Sequence, residues 1–287
     1  MQVNKISLIG TSQGGREFEV ERLFQSLIGT INFLEVVFID QSNDNKIENI
    51  AKKYKSLVNI ILLSSPKVSL SKARNLGLEL CSGNIIGFCD DDAFYDYESL
   101  LMLSKFEITQ NELISVKVID KSSGKMYGGR TFPKRSKSIS FLEIIRYSIS
   151  VGTFILIHER VQDIVFDERL GAGTYLGGSE ETELFFRLKS VNFNTGYNND
   201  IHVYHDNDAP TDISKVDLSA KYYKYALGYG VVLKTFLIKS KFTLALEIAN
   251  ITLRCILGAA LMKNKRLYIY RLRGFYRGLL YEDRLNK

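Results

Sequence analysis

Cysteine, proline and histidine are scarce in this 287-residue chain, with three of each. Cys81, Cys89 and Cys255 are widely spaced and make neither a CxxC pair nor a metal-finger pattern. That excludes a zinc knuckle and a disulfide framework, and the three read as reduced thiols of a cytosolic protein. So few prolines leave no obvious hinge. The opening MQVNKISLIG goes straight into a strand-like run, with no basic stretch ahead of a long apolar one, so no signal peptide is expected. There is no internal repeat and no low-complexity linker. The early GTSQGGRE bears glycines but is neither a P-loop nor GxGxxG.

What is present is the composition of a globular chain, 45% hydrophobic and 24% charged. Its length suits one large domain, or one domain with an appendage. The charge is unevenly placed. Residues 215–287 hold 15 Lys+Arg against 4 Asp+Glu, a net +11, and the preceding 214 residues hold 23 against 28, a net −5. An acidic body with a basic tail suggests a polyanionic surface as partner, a membrane or a nucleic acid.

Apolar runs alternate with amphipathic ones through the first third. Residues 3–9, 34–39, 58–63 and 84–89 read as strands, and 17–28, 46–54 and 69–80 as helices. This βαβαβαβ order predicts an α/β fold with a mostly parallel central sheet flanked by helices. Ligands of such sheets lie beyond the carboxyl ends of the strands. The Gly10-Thr11 turn, Asp40 and Asp90 all fall there. Further on, 114–119 and 125–130 suggest a hairpin around Ser122-Ser123-Gly124. A helix is expected at 141–147, a strand at 151–157, a glycine-rich loop at 171–178, a helix at 180–188 and extended chain at 195–205.

The tail predicts helices at 221–239, 242–262 and 265–281. The middle one is long enough to span a bilayer, which takes ~20 residues. It carries Glu247, Asn250 and Arg254, each costly at a bilayer centre. Helices lying on the membrane surface are therefore expected, with packing on the body as the plainer alternative. The predicted domains are 1–214, catalytic, and 215–287, a basic helical appendage.

Four groups can carry chemistry. Asp90-Asp91-Asp92 follows a buried strand, and three adjacent carboxylates repel one another unless a cation or basic side chains compensate. Oxygen ligands of this kind suit Mg²⁺ or Mn²⁺ beside substrate phosphates; the bland reading is a solvated acidic loop. Arg74, in SLSKARN, could reach a phosphate or nucleotide with its planar fork, or be a surface arginine. Ser179 is a plausible N-cap for Glu180, Glu181 and Glu183, which the helix dipole favours. That explains the glutamates structurally, while the competing reading makes one of them a general base at a cleft. His202 and His205 point to opposite faces of an extended segment, so at most one faces the site.

The stretches ISLIGTSQGGRE, EVVFIDQSNDN, SLSKARNLGLELCSGNIIGFCDDDAFY, FDERLGAGTYLGGSEETELFFRL and VYH occur in this order between residues 5 and 205. Together they resemble the family 2 glycosyltransferases of the GT-A fold, the inverting, nucleotide-sugar-dependent kind. The tail is not covered. The resemblance implies donor contacts from Gly10, Thr11, Asp40, Arg74, Asp90 and Asp91. It makes Asp90 and Asp92 a DxD pair, with Asp92 the direct metal ligand and His205 a further one. Glu181 stands where the family usually has an aspartate as catalytic base, with Glu180 beside it as the other candidate. Gln41 stands where many members have a second aspartate.

The same resemblance implies a metal, Mn²⁺ or Mg²⁺, and a nucleotide-diphosphate sugar donor. It implies a glycan or lipid-linked acceptor in cell-surface polysaccharide synthesis; the basic tail is expected to hold the chain at the cytoplasmic face of the cell membrane, and no nucleic acid partner is expected. Two rivals remain from the residues alone: a nucleotidyltransferase on a similar sheet, and a non-catalytic scaffold binding nucleotide-sugar or RNA.

Overall fold

A computed structural model describes residues 3–159, 164–207, 218–237, 241–262 and 264–282. These fall into two compact units. The first is Met1–Val165 with Leu184–Ala209, and the second is Phe166–Glu183 with Pro210–Lys287. The domain boundary expected at 214/215 lies outside the described residues.

The first unit begins with β1 (Ile6–Ser12), α1 (Glu17–Ser26), β2 (Leu34–Asp40), α2 (Lys46–Tyr54), β3 (Asn59–Ser64), α3 (Leu70–Leu78) and β4 (Ile85–Asp90). It continues with β5 (Ala93–Tyr95), α4 (Tyr97–Ser104), β6 (Glu112–Ile119), β7 (Lys137–Ser138), α5 (Phe141–Tyr147), β8 (Thr153–Leu156), α6 (Glu180–Ser190) and β9 (Asn194–His205). The first turn of α6 belongs to the second unit. Among the described residues the sheet runs β3-β2-β1-β4-β8-β6-β9-β5, with β7 on β9. β3, β2, β1 and β4 are parallel, and β8 joins β4 and β6 antiparallel.

Every residue of β2 is buried, as are six of the seven in β1. That is why both strands read as mostly apolar runs rather than alternating ones: a parallel strand covered on both faces has no solvent side. Val37, Ile39 and Ala73 pack with Ile61, Leu63, Val68 and Leu76 between sheet and α3. Ser69 caps α3 by accepting from the Lys72 amide. Gly77 lets that helix lie close, since a Cβ there would come within 2.5 Å of Ile9 Cγ2. The close approach carries Arg74, one turn earlier, towards the strand ends.

Three expectations need correcting. Residues 125–130 are not a strand: only an isolated bridge joins Ile119 to Met126, and a single 3-10 turn follows at Tyr127–Gly129. Gly128 and Gly129 both have positive φ, 61° and 66°, which an extended strand does not accommodate. β5, α4 and β7 were not foreseen. Gly10 and Thr11 lie inside β1 rather than in a turn.

In the second unit α7 (Leu218–Leu237), α8 (Lys241–Leu261) and α9 (Lys265–Leu279) follow one another. α7 and α9 meet glycine to backbone: a Cβ on Gly274 or Gly278 would come within 2.2 Å of the Tyr223 or Leu227 carbonyl oxygen. The loop ahead of α6 packs on α7, where Gly228 lies against the Leu176 and Gly178 carbonyls. α8 is, by length and composition, apolar enough to cross a membrane. Phe242, Leu246, Leu253, Ile256 and Leu261 on it are exposed.

Candidate active site

The parallel register sets Thr11 beside Asp90 and Ser12 beside Asp40, so the predicted donor-side residues share the carboxyl edge of the sheet. Asp40 is buried and accepts the Ser42 amide at 2.9 Å. Gln41 donates from Nε2 to Thr11 Oγ1 and accepts the Val68 amide at Oε1, both at 2.7 Å. The residue that departs from the resemblance therefore ties the end of β1 to the loops that follow β2 and β3. Gly10 is a packing position: a Cβ there would lie 2.7 Å from the Phe38 ring and 2.9 Å from Cys89 Sγ.

The triplet divides by direction. Asp90 and Asp92 turn to His205, while Asp91 turns the other way. His205 Nε2 lies 3.1 Å from Asp92 Oδ1 and 3.5 Å from Asp90 Oδ2. Asp91 accepts from Ser12 Oγ at 2.7 Å. Arg16 Nη1 reaches Asp91 Oδ1 at 3.4 Å and makes a close contact to Asp92 Oδ2. Arg74, 1% exposed, comes from beneath and donates at 3.2 Å to both Asp90 Oδ1 and Ser150 Oγ. Its reach towards the edge is thus made through Asp90. Backbone pairing of Ala93 with His205 brings β9 alongside the triplet.

Electrostatics separate the three carboxylates in the same way. Burial pushes Asp92 up, but His205 and Arg16 outweigh it and hold the group down at about 2. Asp90 is likewise lowered, burial being overcome by His205 and Arg74. Asp91 is raised, by burial and by the like charges of its neighbours against the opposing Ser12 and Arg16. His205 goes the other way: burial lowers it, and the two aspartates lift it to about 10. So Asp90 and Asp92 stay charged, and the histidine proton answers them.

Ligand atoms of Asp90, Asp92 and His205 all lie within 4.8 Å of one another, a set that could hold a metal ion. Two carboxylate oxygens and one imidazole nitrogen suit a divalent cation. The residues fit such an ion, since Nε2 faces the carboxylates while Nδ1 is occupied by the Asp206 carbonyl at 2.8 Å. A cation held there would require the Nε2 lone pair, and so a neutral imidazole. His202 lies on the opposite face, with its ring at Ser99 and Tyr204, as the strand period requires.

Glu180 and Glu181 open α6 in the second unit, Glu180 buried and Glu181 half-buried. Ser179 precedes them at φ 68°, in the left-handed region rather than the extended conformation of an ordinary N-cap. Its carbonyl accepts the Glu183 amide at 3.0 Å. A non-glycine residue in this conformation is uncommon, and it marks the start of α6 as a locally strained turn. Sequence reasoning missed Arg16 and Arg22. Both are arginines at or in an amphipathic helix, with nothing in their spacing to distinguish them from solvated ones.

The sequence profile of glycosyl transferase family 2 matches residues 16–162, half of the chain. No curated protein matches by sequence. Solved structures with the same fold include S. aureus TarS 1-349 in complex with UDP-GlcNAc: TM-score 0.58, 20% identity, covering 80% of this chain and 66% of that one. Against another structure of S. aureus TarS this chain covers 44% of that chain, at TM-score 0.59 and 19% identity. The mannosyltransferase PcManGT from Pyrobaculum calidifontis, in complex with GDP-Man and Mn2+, is similar at TM-score 0.61 and 12% identity, over 96% of this chain and 87% of that one.

Proposed function

The chain belongs to glycosyl transferase family 2, and on that premise we propose an inverting transfer of sugar from a nucleoside-diphosphate donor to a hydroxyl of a glycan or lipid-linked acceptor. The observation that carries this reading is the Asp90, Asp92 and His205 cluster at the carboxyl edge of the sheet, with Arg74 under Asp90. A divalent cation held by these three residues supplies positive charge against the diphosphate that leaves. Thr11 and Asp40, on the adjoining strand ends, face the base and ribose. Arg74 fixes Asp90, and Asp91 borders the donor. Glu181, or Glu180 beside it, takes the acceptor hydroxyl proton as that oxygen attacks the anomeric carbon opposite the phosphate.

The exposed apolar residues of α8 and the basic charge of residues 215–287 support contact with the cytoplasmic face of a membrane, where lipid-linked saccharides for cell-surface polysaccharide are at hand. UDP-GlcNAc and GDP-Man, bound by the TarS and PcManGT structures, are the first donors to try.

The test is a thermal-shift screen of nucleotide-sugars with and without Mn²⁺, followed by transfer assays on the donor found. Stabilisation by one donor that vanishes with chelator is expected; equal stabilisation in chelator removes the metal from the reading. Glu181→Gln is expected to keep donor binding and lose transfer ~10²–10⁴-fold. If Glu180→Gln does this instead, the base is the other glutamate.

A further inference from the structure

Arg22 sits in the middle of α1, where helical spacing alone would make it a surface residue. Its guanidinium instead joins the two chain segments that bear the candidate metal ligands. Nη2 donates to the Asp92 backbone carbonyl at 2.8 Å, and Nη1 pairs with Asp206 Oδ2 at 2.8 Å. The plane lies over the Phe94 ring, 4.3 Å from its centroid, which keeps the fork from swinging. Asp206 directly follows His205, and its backbone carbonyl accepts a hydrogen bond from His205 Nδ1 at 2.8 Å. One arginine thus grips the residue that orients the imidazole and the residue that carries the second ligand. All of these residues belong to the first unit.

We infer that Arg22 is a positioning residue for the cation site, acting through Asp206 on His205 and through the Asp92 carbonyl on Asp92. The inference rests on the reading of Asp90, Asp92 and His205 as ligands. Arg22 and Asp206 are both partly open, with side chains 27% and 43% exposed. An ion pair that open adds little stability, so its consequence lies in geometry. Partners of this kind, one bond behind the ligands, set ring orientation and are worth roughly 10–100-fold in metal affinity. Lysine cannot replace the fork, because a single ammonium does not present two fixed, divergent donors.

The test titrates the full chain with Mn²⁺ alone and follows free ion by electron paramagnetic resonance, with thermal unfolding in parallel. Arg22→Gln and Arg22→Lys are both expected to weaken Mn²⁺ binding about 10-fold, with the unfolding midpoint nearly unchanged. Asp206→Asn is expected to weaken it by a similar or smaller factor, and Arg22→Gln with Asp206→Asn together no more than Arg22→Gln alone. Wild-type affinity in Arg22→Gln, or losses that multiply in the double variant, would overturn the inference. Should Arg22→Gln fail to fold, Arg22→Lys against Asp206→Asn decides the same question. Asp92→Asn separates the two readings. If it abolishes binding while Arg22→Gln and Arg22→Lys do not alter it, only the role of Arg22 fails. If wild type takes up no Mn²⁺, the cation reading fails and this one with it.

Discussion

A carboxylate is buried at each end of the same sheet, Glu35 at one and Asp92 at the other, and the two are held on opposite principles. At the amino end, Glu35 on β2 is saturated. Ser7 Oγ donates to it at 2.6 Å, the Ser82 amide at 2.7 Å, and Lys5 Nζ lies 2.6 Å from Oε2. At the carboxyl end, Asp90, Asp91 and Asp92 crowd together and share His205, Arg74 and Arg16. Glu35 and Asp92 are both held below their ordinary values in spite of burial. Neither burial nor acidity therefore tells a structural carboxylate from a working one. The difference is the company: one charge enclosed by its own donors, against several like charges converging on one point.

The strongest way to break that comparison is Asp92→Asn. It is expected to cut transfer about 10²–10³-fold, as loss of an electrostatic group at developing charge does, with a much smaller loss of stability, since His205 and Arg16 favour the charge that is removed. A fall in stability to match would make the triplet structural. Glu35→Gln should do the reverse. It is expected to cost about 1–3 kcal/mol in denaturant unfolding, the worth of buried bonds to a charged group, and to leave donor affinity alone.

Acid sharpens the same point. The Glu35 carboxyl is pushed up by burial but pulled further down by Lys5, Ser7 and Ser82, to below 4.5. Its contribution is present above that value and is lost as pH falls through the lower folded one. Below pH 4.5 wild type should lose stability more steeply than Glu35→Gln in urea titrations at stepped pH. Lys5→Met is the smallest test. The lysine side chain is 42% exposed, so the expected loss is under about 1 kcal/mol, and a larger one would show that the ion pair rather than the serine donors closes this end.

Much of the amino-terminal half was legible because parallel strands covered on both faces cannot hide. Leu34–Asp40 is apolar apart from Glu35 and the terminal Asp40, and the second of these marks an edge. β5 was unreadable at three residues, since its identity comes from pairing with β9 rather than from any period of its own. The expected strand at 125–130 failed where two glycines of positive φ turn the chain. In the site, the acidic triplet and His205 stood out because unusual residues gather there. The contacts of Gln41 and the roles of Arg16 and Arg22 did not, because they depend on partners 27 to 184 residues away. Ser179 looked like a cap from its neighbours, yet its backbone adopts another conformation.

Arg74 closes the account of the triplet. A guanidinium 1% exposed and bonded to Asp90 carries its charge inside the protein. Removing Asp90 strips that buried cation of an ionic neighbour, which ordinarily destabilises strongly. Asp90 is thus a poor position for a clean catalytic knockout, since its loss confounds activity with folding. Over longer histories the same coupling makes positions 74 and 90 a linked pair. A lineage that abandons one is expected to abandon the other, while position 92 stays free to vary wherever transfer itself is given up.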